Sequence, residues 1–177
     1  MERRRHAVAV EMLDQWIDGS RPDALEIGCG EGRFTELLCA RCAPVLAVDI
    51  SGVALERARE RLAHIPHVRF DRYDIRRDPA LGAYDVVVCM DVMTEIYRPL
   101  AKRRAMRTAA NCVANGGALL VSEPFQDPLV ERAAWAGPMG RGAFKTLSAF
   151  EERGVRLVRR QTRLTERHML ALYVAST

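Results

Sequence analysis

No stretch of this 177-residue chain is apolar for the length a membrane span needs. The opening Met1-Glu2-Arg3-Arg4-Arg5-His6 leads into Ala7-Val8-Ala9-Val10-Glu11, where an acid interrupts any signal-like apolar region, so a cytoplasmic protein is expected. Lysine is nearly absent: arginine supplies 25 of the 27 basic residues, Lys102 and Lys145 being the other two. The arginines are scattered among acids, as in Glu56-Arg57-Ala58-Arg59-Glu60-Arg61. A net charge of +4 therefore builds no basic stripe, and nucleic acid is not expected as a partner. The five cysteines are an odd number in apolar surroundings, which excludes a disulfide framework and points to reduced thiols. Cys39 and Cys42 form a C-x-x-C with no second pair and no nearby histidine, and His64, His67 and His168 make no metal-binding set with the cysteines; no metal is expected. Internal repeats and low-complexity segments are missing, and the length is too short for two ordinary domains. With 49% hydrophobic residues, one domain over 1–177 with a full core is expected.

Glycine is concentrated where it is most informative. The apolar run Ala24-Leu25-Glu26-Ile27 passes directly into Gly28-Cys29-Gly30-Glu31-Gly32, three glycines within five residues, and then into an amphipathic segment. A strand that ends in glycines and restarts as a helix lets a ligand approach bare backbone at the carboxyl edge of a sheet. In the dinucleotide fingerprint the third glycine follows the second by three residues, and the helix start is free of acid to receive a pyrophosphate. Here the third glycine follows by two, and Glu26 and Glu31 flank the loop. Carboxylates repel a pyrophosphate but attract a ligand carrying an ammonium and a sulfonium, so the loop favours S-adenosylmethionine (SAM) over a nicotinamide cofactor. A second strand, Val45-Leu46-Ala47-Val48, ends in Asp49-Ile50-Ser51. A carboxylate at that tip, about 20 residues beyond the glycines, is placed to accept both hydroxyl protons of a ribose. Ser51 is available to cap the following helix instead.

The rest of the chain alternates regularly. Val10, Leu13 and Ile17 predict an N-terminal helix within residues 1–20, ending near Gly19. Phe34, Leu37, Leu38 and Cys42 mark the inner face of the glycine-loop helix, and Leu55, Ala58 and Leu62 that of the next. Val68 to Asp74 alternates as an edge-side strand, and the proline-broken stretch 75–83 is too short for a crossover helix. Tyr84-Asp85-Val86-Val87-Val88-Cys89-Met90 reads as a central parallel strand buried on both faces. A helix carrying Met106, Ala109, Ala110 and Val113 is expected to stop at Asn115-Gly116-Gly117, followed by the strand Ala118-Leu119-Leu120-Val121. Beyond Pro124 the expectations are a mobile glycine-rich cover at 137–142 near Trp135, a helix near 146–153, and two final strands near 155–162 and 169–175 forming an antiparallel hairpin. The fold class is α/β: a Rossmann-like, doubly wound mixed sheet of about seven strands, with its chemistry at the carboxyl edge.

These residues resemble the class I SAM-dependent methyltransferases. Leu25 to Gly32 is similar to that family's first motif, Val48-Asp49 to its ribose acid, Tyr73-Asp74-Ile75 to its adenine-contacting acid, and Asn115-Gly116-Gly117 to the turn before its fifth strand. The resemblance implies SAM as cofactor and S-adenosylhomocysteine as product. It implies a cofactor site of Glu26, Gly28, Cys29, Gly30, Gly32, Asp49, Ile50, Asp74, Ile75 and Asp91. Within the superfamily the chain resembles the rhizobial nodulation-factor N-methyltransferases (NodS-like), which methylate a sugar amine. That likeness rests on Glu2 to His6, the acid–Val pair Asp91-Val92, the segment around Trp135, and the ending Glu166 to Ala171. The chain departs from it just beyond the acid, where Met93-Thr94-Glu95 stands in place of aromatic residues.

An amine acceptor must lose its proton before it attacks the methyl group, and a carboxylate can hold the ammonium and receive that proton. Asp91, at the end of the central strand, and Glu95, one helical turn on, are the candidate acids; each also has a plain role, as helix cap and as solvated helix residue. His6 is the third candidate, a base near neutral pH that the resemblance places over the site. The expected function is therefore SAM-dependent N-methylation of an amino sugar or related small-molecule acceptor. The alternatives are small-molecule O-methylation and, in another class, a non-catalytic SAM-binding accessory protein.

Overall fold

A computed structural model describes residues 2–124, 157–164 and 168–175. Trp135, Gly137 to Gly142 and the helix expected near 146–153 lie outside the described residues. Seven strands, β1 (Ala24–Ile27), β2 (Val45–Asp49), β3 (Val68–Arg72), β4 (Tyr84–Met90), β5 (Val113–Pro124), β6 (Leu157–Leu164) and β7 (His168–Ala175), form one sheet in the order β3-β2-β1-β4-β5-β7-β6. Pairings are parallel from β3 through β5, while β7 runs antiparallel to both β5 and β6. The strand order turns back at β1, where consecutive strands β1 and β2 lie on one side and β4 on the other. That reversal opens a crevice at the carboxyl edge.

Burial separates two cores by the two-residue period of the strands. Leu25, Ile27, Val87, Cys89, Leu119 and Val121 face α4 (Pro99–Asn111) and the 3-10 turn Met93–Glu95. Ala24, Val45, Val86, Val88, Ala118 and Leu120 face α1 (Glu2–Asp14) and α2 (Arg33–Cys39). Ala47 packs with Leu55 of α3 (Gly52–Arg61) on that second side. Val86 to Cys89 are fully buried, as expected of a parallel strand covered on both faces. Cys39 and Cys42 lie in the second core, and all five thiols are free and buried. Ser51 caps α3, its hydroxyl accepting from the Ala54 N–H at 3.3 Å.

Two element ends differ from the sequence expectation. The helix α1 stops at Asp14, and Trp16 and Ile17 follow in a turn whose N–H groups both reach the Leu13 carbonyl. Its buried face is His6, Ala9, Met12 and Leu13, and Val10 and Ile17 of the expected face pack, partly buried, against the same core. The helix α4 ends at Asn111, and Asn115-Gly116-Gly117 lies within β5 rather than closing the helix. There the register jumps from Tyr84↔Val113 to Val86↔Ala118, a bulge in which Gly116 takes φ 75°. A Cβ on Gly117 would come within 2.8 Å of the Asp85 carbonyl oxygen and 3.0 Å of those of Ala114 and Tyr84. The glycine pair is a bulge requirement, which a helix-stop signal in the sequence imitates.

Among the described residues no helix is long and apolar enough to cross a membrane. Gly117→Ala should destabilise the fold by about 1–3 kcal/mol, because the backbone oxygens it would strike cannot rotate away. Urea unfolding at equilibrium measures this, and an unchanged midpoint would remove the steric account of the bulge.

Candidate active site

The glycine loop is shaped by backbone geometry. Gly28, Gly30 and Gly32 take φ values of 80°, 54° and 78°, a left-handed sequence open to glycine at little cost. The N–H groups of Gly28 and Cys29 both donate to the Val48 carbonyl, at 2.7 and 3.0 Å, which ties the loop to the end of β2. Gly28 lies under Val92, whose Cγ2 would be 2.3 Å from an added Cβ. Gly32 lies against Ala58 and Leu62 of α3, while Gly30 has open space above it. The three glycines thus do different things: close approach to the β4 exit, clearance for a ligand, and contact between helices.

Asp49 joins the loop to the neighbouring strand. One carboxylate oxygen accepts from the Gly30 N–H at 2.8 Å and the other from the Ser51 N–H at 2.8 Å. Each oxygen keeps a lone pair for a further donor, the arrangement a ribose diol needs. Beside Asp49 is a cavity of about 290 Å³ lined by Ile27, Gly28, Val48, Asp49, Ile50, Tyr73, Asp74, Ile75, Met90, Asp91, Val92 and Glu95, among others. The structure thus brings Gly28, Asp49, Ile50, Asp74, Ile75, Asp91 and Glu95 of the sequence-predicted set together around one space. Its lining, an acid at or just beyond each of three strand ends with apolar walls between, fits a nucleoside joined to a charged amino-acid tail. Gly28, Asp49 and Asp74 are the groups that would hold such a cofactor.

Of the other predicted cofactor residues, Glu26 and Cys29 stand behind the loop. Glu26 points to the α2 face and is fully buried. Burial raises its carboxyl to about 7, with Thr35 opposing and Asp49 adding to the shift. Cys29 is buried, its thiol pushed up by burial and by Glu26. Glu31 faces solvent, paired with Arg57 at 2.6 Å, so its charge is spent on the surface and not in the cavity. Asp74 is gripped by Arg76 through two hydrogen bonds of 2.7 and 2.8 Å, and that contact holds its carboxyl below the ordinary range.

At the end of β4, Asp91 takes φ 60°, the only non-glycine residue in the left-handed region among the described residues. Its N–H donates to the Ser122 carbonyl at 2.8 Å, and the Ser122 hydroxyl donates to Oδ1 at 3.1 Å. Arg5 of α1 ion-pairs with Oδ2, and the same guanidinium nitrogen donates to His168 Nε2 at 3.0 Å. Sequence reasoning missed Arg5 and His168 in this role, although both lie in segments that carried the resemblance. Their meeting needs α1, β4 and β7 brought together across more than 80 residues of chain, which no local spacing reveals. His6 packs edge-on against Phe34 of α2, ring centres 5.3 Å apart, and burial lowers its pKa. Glu95 stands on the cavity wall with an exposed side chain. Among the described residues no cluster of three potential ligands could hold a metal ion.

A methyltransferase-domain family model matches residues 24–117, and the chain belongs to that family, the class I SAM-dependent methyltransferases. Within it the chain is NodS-like. Nodulation protein S of Bradyrhizobium diazoefficiens is 28% identical over 151 residues, covering 85% of this chain and 69% of that protein. Nodulation protein S of Rhizobium tropici is 29% identical over 119 residues, 67% of this chain and 49% of that protein. The ubiquinone biosynthesis O-methyltransferase of Acinetobacter baylyi is 30% identical over 123 residues, 64% and 50% respectively. The chain thus spans about half to two thirds of the length of these relatives. The solved structure of the N-methyltransferase NodS of Bradyrhizobium japonicum in complex with S-adenosylhomocysteine shares the fold, with a TM-score of 0.80 at 23% identity over 99% of this chain and 88% of that one.

Asp49→Ala should weaken S-adenosylhomocysteine binding by about 1.5–3 kcal/mol, because it removes two hydrogen bonds to a charged acceptor. Glu31→Ala should leave it unchanged, since that carboxylate is spent on Arg57. Calorimetric titration of both variants checks the pair, and equal affinities would remove Asp49 from the site. The raised carboxyl of Glu26 also sets a pH dependence. With its folded pKa above the unfolded value of 4.5, its contribution to stability is present below 4.5 and is lost as pH rises through about 7. Urea unfolding between pH 4.5 and 8 should show that decline, shallower in Glu26→Gln.

Proposed function

We propose that this protein transfers the methyl group of SAM to the nitrogen of an amino sugar or related small amine, over residues 1–177 acting as one methyltransferase domain. The observation that carries the reading is the acid-lined end of β4, where Asp91 and Glu95 border the same cavity as the glycine loop and the ribose acid. The likeness to nodulation protein S supports nitrogen as the methylated atom.

The reaction is an in-line displacement at carbon with a sulfide as leaving group, so the cofactor brings an activated methyl and the protein's main contribution is alignment. Asp91 is well suited to orientation. Its left-handed backbone, its bond from Ser122 and its pair with Arg5 fix the carboxylate at the rim, and α1 is drawn over the site through Arg5. Glu95 is the acid free to meet an incoming ammonium and to receive its proton. His6, neutral at pH 7 because burial lowers its pKa, serves the wall between α1 and α2 and can accept a proton only from a group that reaches its ring. Methylation of oxygen is the second reading, favoured by the identity to ubiquinone O-methyltransferases. It would need no ammonium-binding acid.

Incubation of the purified chain with isotopically labelled SAM and a panel of amino sugars, other amines and phenols tests the proposal. N-methylated product is expected, with a rate that rises with pH as the bound amine loses its proton. Asp91→Asn should lower kcat at least tenfold while changing S-adenosylhomocysteine affinity little. An O-methyl ether as the product would transfer the assignment to the oxygen reading. Binding of cofactor with no transfer to any member of the panel would favour an accessory SAM-binding role.

A further inference from the structure

Glu123 is not part of the site described so far, yet it is placed beside it. The last ladder pair of β4 and β5 is Met90↔Ser122, so Asp91 and Glu123 come next to each other at the carboxyl edge. Alternation along β5 puts Glu123 on the same face as Leu119 and Val121, the face under the 3-10 turn and α4. The cavity opens on that face too, since Ile27, Val48, Tyr73, Ile75 and Ile96 belong to the same core and line it. Glu123 is fully buried, and among the described residues neither of its carboxyl oxygens has a side-chain hydrogen-bond partner, the backbone N–H of Met93 being the one donor that acts on it. Leaving such a group unpartnered costs stability, and it is tolerated where something outside the folded chain is to supply the partner.

The strand order says where an acceptor must lie. The ribose acid is on β2, the glycine loop follows β1, and β4 comes next, then β5. A cofactor held by Asp49 and the glycine loop would lie across β2 and β1, with β4 next in the strand order. An acceptor attacking in line from the far side of the methyl therefore approaches over β4 and β5. There it meets Asp91, already neutralised by Arg5, and then Glu123, which no cation among the described residues pairs with directly.

We propose that Glu123 is the specificity-determining carboxyl for a cationic acceptor, its oxygens being the partners that the acceptor's ammonium group takes up when it enters behind the 3-10 turn. This rests on the amine reading above. The groups acting on Glu123 fit the role: burial raises its carboxyl to about 8, with Asp91 and Glu95 adding to the shift and Lys102 of α4 and the Met93 backbone N–H opposing it. Behind the cavity wall Glu123 is thus a neutral acid at pH 7. An entering ammonium converts it to an ion pair, and the proton is released to solvent.

The test compares the parent, Glu123→Gln and Glu123→Leu, using the whole chain with glucosamine and, separately, catechol as acceptor probes. Glu123→Gln should bind S-adenosylhomocysteine as the parent does and lose at least tenfold in kcat/KM for glucosamine, mainly through KM. Equal kcat/KM in parent and variant overturns the proposal while the amine reading stands. Methylation of catechol alone by the parent overturns the amine reading and this proposal with it. A second measurement needs no acceptor. Glu123→Leu should melt at or above the parent temperature at pH 7 and further above it at pH 9, because a folded pKa above the unfolded value means stability is lost as pH rises. A variant that melts several degrees below the parent shows that Glu123 is an ordinary structural group, and the proposal fails.

Discussion

Two short hydrogen bonds to one carboxylate hold the functional edge together. Asp49 accepts from the Gly30 N–H with one oxygen and from the Ser51 N–H with the other. The first bond sets the crest of the glycine loop and the second sets the start of α3. The Val48 carbonyl, one residue earlier, receives the N–H groups of Gly28 and Cys29. The loop is therefore shaped by the end of the neighbouring strand and not by its own side chains, which glycine does not have. The carboxylate that would meet a ribose is also the one that keeps the ribose site in shape, so that binding need not reorganise it.

Much of the site could be read in the sequence because it is built from local motifs. A strand followed by glycines, a second strand followed by an acid, and a run of valines ending in Asp91 each occupy only a few residues, and the parallel sheet sets their tips side by side. What could not be read depends on contacts distant in sequence. Arg5 and His168 reach Asp91 only because α1 and β7 flank the end of β4. Glu123 reads like an ordinary acid after a buried strand, and only the burial of both its oxygens sets it apart. Glu31 shows the opposite error. Its position beside the glycines suggested an attraction for a cationic ligand, whereas its side chain turns to Arg57 on α3. The glycine pair at 116–117 was correctly marked as a backbone requirement but attached to the wrong element, since a helix stop and a strand bulge draw on the same freedom.

Arginine is used in this chain as a partner for individual acids. Asp14 pairs with Arg41, Glu31 with Arg57, Asp74 with Arg76 and Asp91 with Arg5. Several of these are two-pronged or partly enclosed contacts, for which the planar guanidinium is better shaped than an ammonium. These pairs neutralise individual acids and leave the net charge of +4 unchanged, spread over the remaining arginines while the titratable lining of the cavity stays largely acidic.

The bulge between β4 and β5 has a consequence for how the chain can vary. Upstream of it Tyr84 pairs with Val113, downstream Val86 pairs with Ala118, and the residues between absorb the difference in length. Residues gained or lost between α4 and Ala118 can be taken up there without shifting the ladder that carries Asp91 and Glu123. The end of α4 is free to drift through evolutionary insertion and deletion, while the reactive edge, some five residues further along β5, keeps its alignment.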